Sequence, residues 1–117
     1  MVVGENVGGD ADRVFQALAD ATRRDILARV IRDGQSVSAL ARLYPMSFAA
    51  VQKHVAILER ADLVTKERRG REQIVHGRPE ALRGVVGGLM DAYERIWRQR
   101  ADRITEMLRA EEQEEGS

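Results

Sequence analysis

Three features of the sequence predict a mainly α-helical fold of about five helices with one two-stranded β-hairpin. Apolar residues recur at helical spacing in residues 11–33 and again over about 79–110. Pro45 separates two short helical segments between these regions. Residues 63–76 then alternate in polarity around Gly70, as the two strands of a hairpin do. Two short helices followed by such a hairpin form a winged helix-turn-helix.

The composition is that of one folded domain without disulfides. The chain has 117 residues, 44% of them apolar, and it has no cysteine for a disulfide, a thiolate nucleophile or a zinc–thiolate site. The first ten residues lack a basic region and a long apolar run, so they do not resemble a signal peptide, and no segment is apolar enough to span a membrane. We expect a cytoplasmic protein with a disordered segment at 1–9, one domain at 10–110 and an acidic tail at 111–117.

Two predicted caps divide the first helical region. Asp10 precedes a helix at about residues 11–19, and Asp20 precedes a second helix at about 21–33. Gly34 is expected to end the second helix, because glycine readily adopts the conformation that closes a helix. The helical spacing is set by the apolar residues Val14, Leu18, Ile26, Leu27, Val30 and Ile31.

Serine caps mark the next two helices. Ser36 precedes a short helix that Pro45 ends, since the residue before a proline avoids helical geometry. Ser47 precedes the following helix after a break of about four residues, which fits a helix-turn-helix whose second helix reads DNA. The inward side of this reading helix is expected to hold Val51, Val55 and Leu58, with Ile57 beside them.

The hairpin and the last helix follow. The strands LVTKER and EQIVH meet at Gly70, where a positive φ angle costs glycine little. Gly84, Gly87 and Gly88 in the last helix are expected to allow close helix packing or a bend. The apolar series of this helix is Leu82, Val85, Val86, Leu89, Met90, Tyr93, Ile96, Trp97, Ile104, Met107 and Leu108.

Charge is unevenly distributed along a chain whose net charge is zero. Residues 47–83 hold eight Lys or Arg against five Asp or Glu, whereas residues 84–117 hold five against eight. Differences of this size can arise by chance. They nevertheless place the excess of cations on the reading helix and the hairpin, where a nucleic acid would be bound.

Three ordered motifs resemble the ArsR/SmtB family of bacterial winged-helix repressors. The motifs are VFQALADATRRDIL, SVSALARLYPMSFAAVQKHVAILERADLV and RRGREQIV, and the resemblance extends over residues 14–110. It is closer to the metal-independent, SdpR-like branch than to the metal sensors. The resemblance implies a homodimeric transcription factor that dimerises through its first and last helices. Surplus apolar residues there predict a dimer interface containing Val14, Leu18, Leu89, Tyr93, Ile96 and Trp97.

The outward side of the reading helix has side chains that can recognise double-stranded DNA. Gln52 can pair with adenine, and Lys53 can donate to guanine or to phosphate. Ser47 and the free amides of the first turn suit a phosphate oxygen. Arg69 and Arg71 at the hairpin tip can follow the backbone or enter the minor groove. The expected DNA-binding residues are Ser36, Ser47, Phe48, Ala49, Gln52, Lys53, His54, Lys66, Arg69 and Arg71.

Structural alternatives remain for several of these residues. Gln52 and Lys53 could belong to an ordinary solvated helix face, although the hairpin and the family resemblance weigh against this. For His54, a local hydrogen bond is favoured over contact with a base. Phe48 could be a core residue that anchors the turn.

Two departures from the family pattern bear on function. The turn after the reading helix is usually Ala-Gly-Leu, and here Asp62 stands in place of the glycine. Because Asp tolerates a left-handed backbone better than most residues, we expect the turn to be kept at a modest cost. The family's metal sensors use a cysteine-containing third helix, or histidine and carboxylates on the last helix. This chain has no cysteine and no histidine after His76, so Asp91 and Glu94 lack such partners. We expect no metal site and no cofactor.

The predicted function is a homodimeric repressor that binds a palindromic operator, regulates its own gene and does not sense metal. Whether a small-molecule inducer exists is left open. No nucleophile–base arrangement, phosphate-binding glycine loop or metal motif indicates an enzyme. The alternative is a winged-helix module for protein contacts, which explains the neutral charge and the acidic end but not the basic hairpin tip.

Overall fold

The computed structural model describes residues 5–116, with side chains from Asp10 onward. Within them the chain forms five α-helices and three β-strands. The predicted fold class is confirmed. Contacts divide the chain into a first unit that ends at Val85 and a second that begins at Val86, whereas one domain was expected over 10–110. In chain order the elements are α1 (Glu5–Leu18), α2 (Ala21–Arg32), β1 (Gln35–Ser36), α3 (Val37–Ala41), α4 (Phe48–Arg60), β2 (Val64–Arg69), β3 (Glu72–Gly77) and α5 (Pro79–Glu115).

Helix α1 begins at Glu5, earlier than the predicted start at residue 11. Asp10 is therefore not a cap: it lies within the helix, and its carboxylate is 3.4 Å from the guanidinium of Arg13, one turn later. Residues 5–9 of the segment predicted to be disordered are therefore helical. Residues 1–4 of that segment lie outside the described residues. Asp20 is confirmed as the cap of α2, where its side chain accepts a hydrogen bond from the N–H of Arg23 at 3.0 Å.

Helix α2 ends differently from the prediction. Asp33, in an extended conformation, is the cap, and its N–H donates to the carbonyl of Arg29. Gly34 does not close the helix with a left-handed backbone, because its φ angle is not positive. Its lack of a side chain matters for space instead, since an added Cβ would lie 2.6 Å from the ring of His76.

The helix-turn-helix is formed by α3 and α4, both capped as predicted. Ser36 accepts from the N–H of Ala39 at 3.0 Å, and Ser47 accepts from the N–H of Ala50 at 3.1 Å. Helix α3 ends at Ala41, before the expected stop at Pro45, so the connection spans residues 42–47 instead of about four residues. The helix ends early because Arg42 takes the C-cap position and its N–H bonds back to Ala39 and Leu40.

The hairpin acquires a third strand that the sequence pattern did not predict. The sheet has the order β1-β3-β2, with both pairs antiparallel. In the predicted hairpin, Val64 pairs with Gly77 at the base and Arg69 pairs with Glu72 at the tip. Gly70 has a φ of 59° there, as expected. Strand β1 has two residues, and its pairing to β3 attaches the hairpin to the start of α3.

The core of the first unit draws on α1, α2, α3, α4, β2 and β3. Every buried apolar residue of the described chain lies in this unit. Burial of these side chains supplies the main stabilisation of the fold. The buried residues are Val14, Ala17, Ile26, Leu27, Val30, Val37, Leu40, Val51, Val55, Leu58, Ala61, Leu63, Val64 and Val75.

Helix α5 is 37 residues long and has no buried residue. It continues past the predicted end near Ala110, so the acidic stretch is helical as far as Glu115. A Cβ added at Gly84, Gly87 or Gly88 would meet no described atom within 4 Å, apart from the chain neighbours and the nearby backbone of the helix itself. No helix within residues 5–116 combines the length and apolar character that crossing a membrane requires.

Candidate nucleic-acid interface

Burial determines which side of α4 is available to a ligand. Val51, Val55 and Leu58 are buried in the core, as their helical spacing predicted. Gln52 and Lys53 lie outside this stripe and are exposed. The structure therefore leaves both predicted base-reading side chains free to project from the first half of the helix.

The first turn of α4 is open at the surface. The side-chain oxygen of Ser47 is used by the cap, although the residue is exposed. Ala49 is exposed, and 47% of Phe48 is accessible. The alternative in which Phe48 is a core residue is therefore wrong. This turn presents small and aromatic side chains beside its unbonded backbone amides, a combination that suits a phosphate contact.

Ser36 does not belong to this open surface. It is 9% exposed, pairs with Ile74 in the sheet and caps α3 through its side chain. The expectation that Ser36 contacts DNA is therefore wrong. A serine at the start of a helix can serve as a cap or as a phosphate ligand, and here the third strand buries it as a cap.

His54 faces α2. Its Nδ1 atom is 3.3 Å from Nη1 of Arg23 and 3.9 Å from a carboxylate oxygen of Asp20. The residue is half-buried, in contrast to the exposed Gln52 and Lys53. This position favours the structural alternative for His54 over contact with a base.

Asp20 connects the start of α2 to this histidine. The hydrogen bond from the backbone N–H of Arg23, together with the charges of Arg23 and His54, holds the pKa of the Asp20 carboxyl below its ordinary value. The cluster of Asp20, Arg23 and His54 thus joins the N-terminus of α2 to the reading helix.

A second polar contact joins the turn before α4 to α2. The hydroxyl of Tyr44 donates to Asp25 at 2.5 Å, and the side chain of Arg29 donates to the same oxygen at 2.8 Å. The hydrogen bond from Tyr44, followed by that from Arg29, lowers the pKa of the Asp25 carboxyl. Burial and the bond to Asp25 raise the pKa of Tyr44 to about 12.

The hairpin carries cations both near its base and at its tip. Near its base, Lys66 forms an ion pair with Glu59 of α4 at 3.2 Å, so its charge is partly compensated and it links strand to helix. At the tip, Arg69 is exposed and lies 3.5 Å from Glu67, while Arg71 is exposed on the other side of the turn. The tip is therefore more available to phosphate than the base of the hairpin is.

Two arginines of this region were absent from the predicted set. Arg60 is exposed at the end of α4, seven residues after Lys53, and this spacing places both on one side of the helix. The spacing could have identified Arg60 from the sequence. Arg23 is 31 positions from His54 in the chain. No local pattern could have paired these two residues.

The predicted dimer residues fall into two groups. Val14 is 1% exposed and belongs to the core, so its assignment to a dimer interface is wrong; Leu18 is half-buried against the same core. In the second unit, the side chains of Leu89, Tyr93, Ile96 and Trp97 are all exposed, Trp97 to 65%. Exposed apolar side chains at helical spacing are typical of a surface that binds another protein.

The comparisons with known proteins agree with this architecture. A protein-family model described as "Helix-turn-helix domain" matches residues 18–67. The HTH-type transcriptional regulator Rv2034 of Mycobacterium tuberculosis is 36% identical over 86 residues, which cover 74% of this chain and 77% of the relative. The solved structure of an ArsR-like transcriptional regulator from Rhodococcus sp. RHA1 is 30% identical, with a TM-score of 0.75 over 87% of this chain and 95% of that one.

The chain belongs to the ArsR family of winged-helix transcriptional regulators. A more distant neighbour shares the fold: the homodimeric winged helix-turn-helix DNA-binding domain of a possible ArsR-family regulator from Mycobacterium bovis, 23% identical, with a TM-score of 0.63 over 78% of this chain and 85% of that domain.

In this ArsR-family chain, the turn after the reading helix keeps its shape without the usual glycine. Asp62 has a φ of 59°, which is the left-handed conformation that the prediction assigned to it. Its N–H donates to the carbonyl of Glu59, and the next N–H, of Leu63, donates to the carbonyl of Leu58. This turn connects the end of α4 to the start of β2. Among residues 5–116, no three His, Cys, Asp or Glu side chains are grouped so as to hold a metal ion.

Proposed function

We propose that this ArsR-family protein is a homodimeric, sequence-specific repressor that binds a palindromic operator, including that of its own gene, without sensing metal. One observation carries the proposal: Gln52 and Lys53 are exposed on a helix whose opposite side is fixed in the core. Their amide and ammonium groups are suited to adenine and guanine edges in the major groove.

The hairpin tip and the first turn of α4 supplement this reading surface. Exposed Arg69 and Arg71 supply positive charge for the sugar-phosphate backbone. Base contacts give sequence preference, whereas phosphate contacts give register and affinity. Repression follows if the bound protein covers a promoter.

Dimer formation is supported by α5. Its exposed Leu89, Tyr93, Ile96 and Trp97 form an apolar surface that a second copy would cover. The homodimeric state of the Mycobacterium bovis neighbour agrees with such an assembly. Twofold symmetry then places the two reading helices about one DNA turn apart, so the half-site centres should be about 10 bp apart or a small multiple of that.

Metal independence is supported by the sequence, because the chain has neither cysteine nor a histidine after His76. Ligands of these types hold transition metals in sensor proteins. The protein should therefore bind its operator equally well in EDTA and in micromolar zinc.

The deciding experiment combines solution mass with footprinting of the best site recovered from the source genome. A dimer that protects an imperfect palindrome, in EDTA and in zinc alike, is the expected result. A strict monomer at micromolar concentration that protects one asymmetric half-site would refute the dimer model. Release of the DNA by zinc, cobalt or nickel would refute metal independence.

A further inference from the structure

A cleft in the first unit opens between α1, α2 and α4. Its volume is about 490 Å³, and its walls are formed by Arg13, Gln16, Arg23, Ile57 and Arg60. This volume is in the range of sites that hold small organic molecules. Three of its five side chains are guanidinium groups, which point to an anionic ligand.

Arg23 is held in a fixed position at the edge of the cleft. Its Nε donates to the carbonyl of Ala17 at 2.7 Å, and its Nη2 donates to the carbonyl of Gln16 at 2.9 Å. These partners are uncharged carbonyls at the end of α1, so they orient the guanidinium without forming an ion pair with it. Ordering of this kind lowers the entropy that a ligand must overcome on binding.

The other two arginines add charge that is poorly compensated. Arg60 is exposed and forms no ion pair within the described part of the chain. Arg13 lies 3.4 Å from Asp10, but both side chains are more than 60% exposed, at 63% and 69%, so water weakens the pair. Asp20, the cap of α2, also carries a negative charge that interacts with Arg23; its carboxylate accepts from the backbone N–H of Arg23 and lies 3.9 Å from Nδ1 of His54.

The two cleft residues that are not arginines, Gln16 and Ile57, indicate which groups a ligand would carry besides its oxyanion. Ile57 is half-buried and packs against the core, so it offers an apolar surface in a cleft that three arginines also line. Gln16 adds an amide that can donate or accept. A ligand that fits these walls has an oxyanion for the arginines and a short apolar part for Ile57.

We propose that this cleft binds a small organic oxyanion, a carboxylate or a phosphate monoester, through Arg23 and Arg60 with Arg13 assisting. Binding draws on Arg23, whose Nη1 contacts His54 of α4 at 3.3 Å. An occupied cleft therefore changes the contact that joins α2 to the reading helix and alters DNA affinity. This regulatory consequence rests on the proposed function, whereas the binding site itself does not.

The binding experiment uses the full chain without DNA. Octanoate and inorganic phosphate are titrated separately while the side-chain resonances of the arginines and the methyl groups of Ile57 are followed by NMR. Saturable shifts of both residue types with at least one probe are expected. Arg60→Gln should weaken that binding about tenfold, because it removes a charge-assisted hydrogen bond.

A matched control separates charge from folding. Arg23→Gln removes a cleft wall and also two bonds to the end of α1. Arg24 makes a comparable bond, to the carbonyl of Leu18 at 2.6 Å, but lies outside the cleft walls. Arg24→Gln should leave probe binding unchanged, whereas Arg23→Gln should abolish it.

Three outcomes would overturn the proposal. One is the absence of saturable shifts with both probes, and another is equal probe affinity in the wild type and Arg60→Gln. The third is a wild type that binds neither probe, together with an Arg60→Gln variant whose affinity for random DNA depends less steeply on salt. That result would assign the arginines to the DNA backbone.

If the probes bind the cleft but leave operator affinity unchanged, the binding site stands and its proposed effect on DNA affinity is refuted. Failure of the operator footprint alone would affect the proposed function and not the cleft.

Discussion

The two units of the chain place their apolar side chains in opposite ways. Up to Val85, fourteen apolar residues are buried together, twelve from six elements and two from the turn after α4. From Val86 onward, α5 buries none, and its large apolar residues are 37% to 66% exposed. The first unit therefore has a core of its own, whereas the large apolar side chains of the second are exposed. The exposed apolar residues of the second unit are therefore the candidates for the dimer contacts proposed above.

The largest effect is expected in the core. Leu58→Ala removes a fully buried side chain of α4 and should lower the free energy of unfolding by about 2–5 kcal/mol, from lost burial and the cavity left behind. Urea unfolding followed by circular dichroism measures the loss. Leu43→Ala, at an exposed position, is the control and should change stability by less than about 0.5 kcal/mol. Equal losses in both variants would contradict the assignment of the core.

The second prediction concerns the exposed surface of α5. Trp97→Ala should raise the dissociation constant of the dimer at least about tenfold while the circular dichroism of the subunit stays unchanged, because buried tryptophans often dominate protein interfaces. Sedimentation equilibrium measures the constant. Arg98→Ala, at the neighbouring exposed position, should have little effect. An unchanged dissociation constant in Trp97→Ala would show that this surface of α5 does not form the dimer.

The third prediction tests the polar surface of the first unit. Gln52→Ala should weaken binding to the operator by about 1–3 kcal/mol and binding to random DNA much less, because a bidentate base contact is lost. Fluorescence anisotropy with both DNAs measures the difference, with Gln99→Ala in the second unit as the control. Equal weakening on the two DNAs would show that Gln52 does not read a base.

The fourth prediction concerns the hairpin tip. Arg71→Gln should lower the slope of log affinity against log salt by about one unit per subunit, since one phosphate contact is removed. Arg109→Gln is the matched change in α5 and should leave the slope unaltered. An unchanged slope in Arg71→Gln would exclude a phosphate role for this side chain.

The smallest effect is expected at Tyr44. Tyr44→Phe removes the hydrogen bond to Asp25 and should cost about 1 kcal/mol of stability. Because the folded pKa of Tyr44 is raised from 10.0 to about 12, its contribution is complete below about pH 10 and is lost as the pH rises toward 12. Unfolding measured across this range should show the loss in the wild type and not in Tyr44→Phe. A parallel loss in both proteins would assign it to another group.

Sequence spacing predicted several parts of the fold that depend on neighbours in the chain. The caps Asp20, Ser36 and Ser47 and the buried stripe of α4 all follow from local rules, and the structure confirms them. Asp62 belongs to the same class, because a left-handed residue is a local backbone property.

Several of the features that were missed depend on distant partners, whereas others, such as the expected caps at Asp10 and Gly34, were local expectations that the structure does not bear out. Strand β1 exists because Gln35 and Ser36 meet β3, and two residues carry no strand pattern by themselves. The apolar spacing of Val14 is the same whether it faces a core or a second subunit, so spacing could not decide between them. The contact between Arg23 and His54 likewise requires the packing of α2 against α4.

The strand order β1-β3-β2 leaves β2 at one edge of the sheet with a six-residue strand. Unpaired edges invite other chains to add a strand, which is a route to aggregation. The sequence of β2, VTKERR, places four consecutive charged residues along that edge, from Lys66 to Arg69. Strand addition would have to bring these charges against an incoming chain. We therefore expect neutral substitutions along β2 to promote aggregation, and they should be tested for aggregation as well as for DNA affinity.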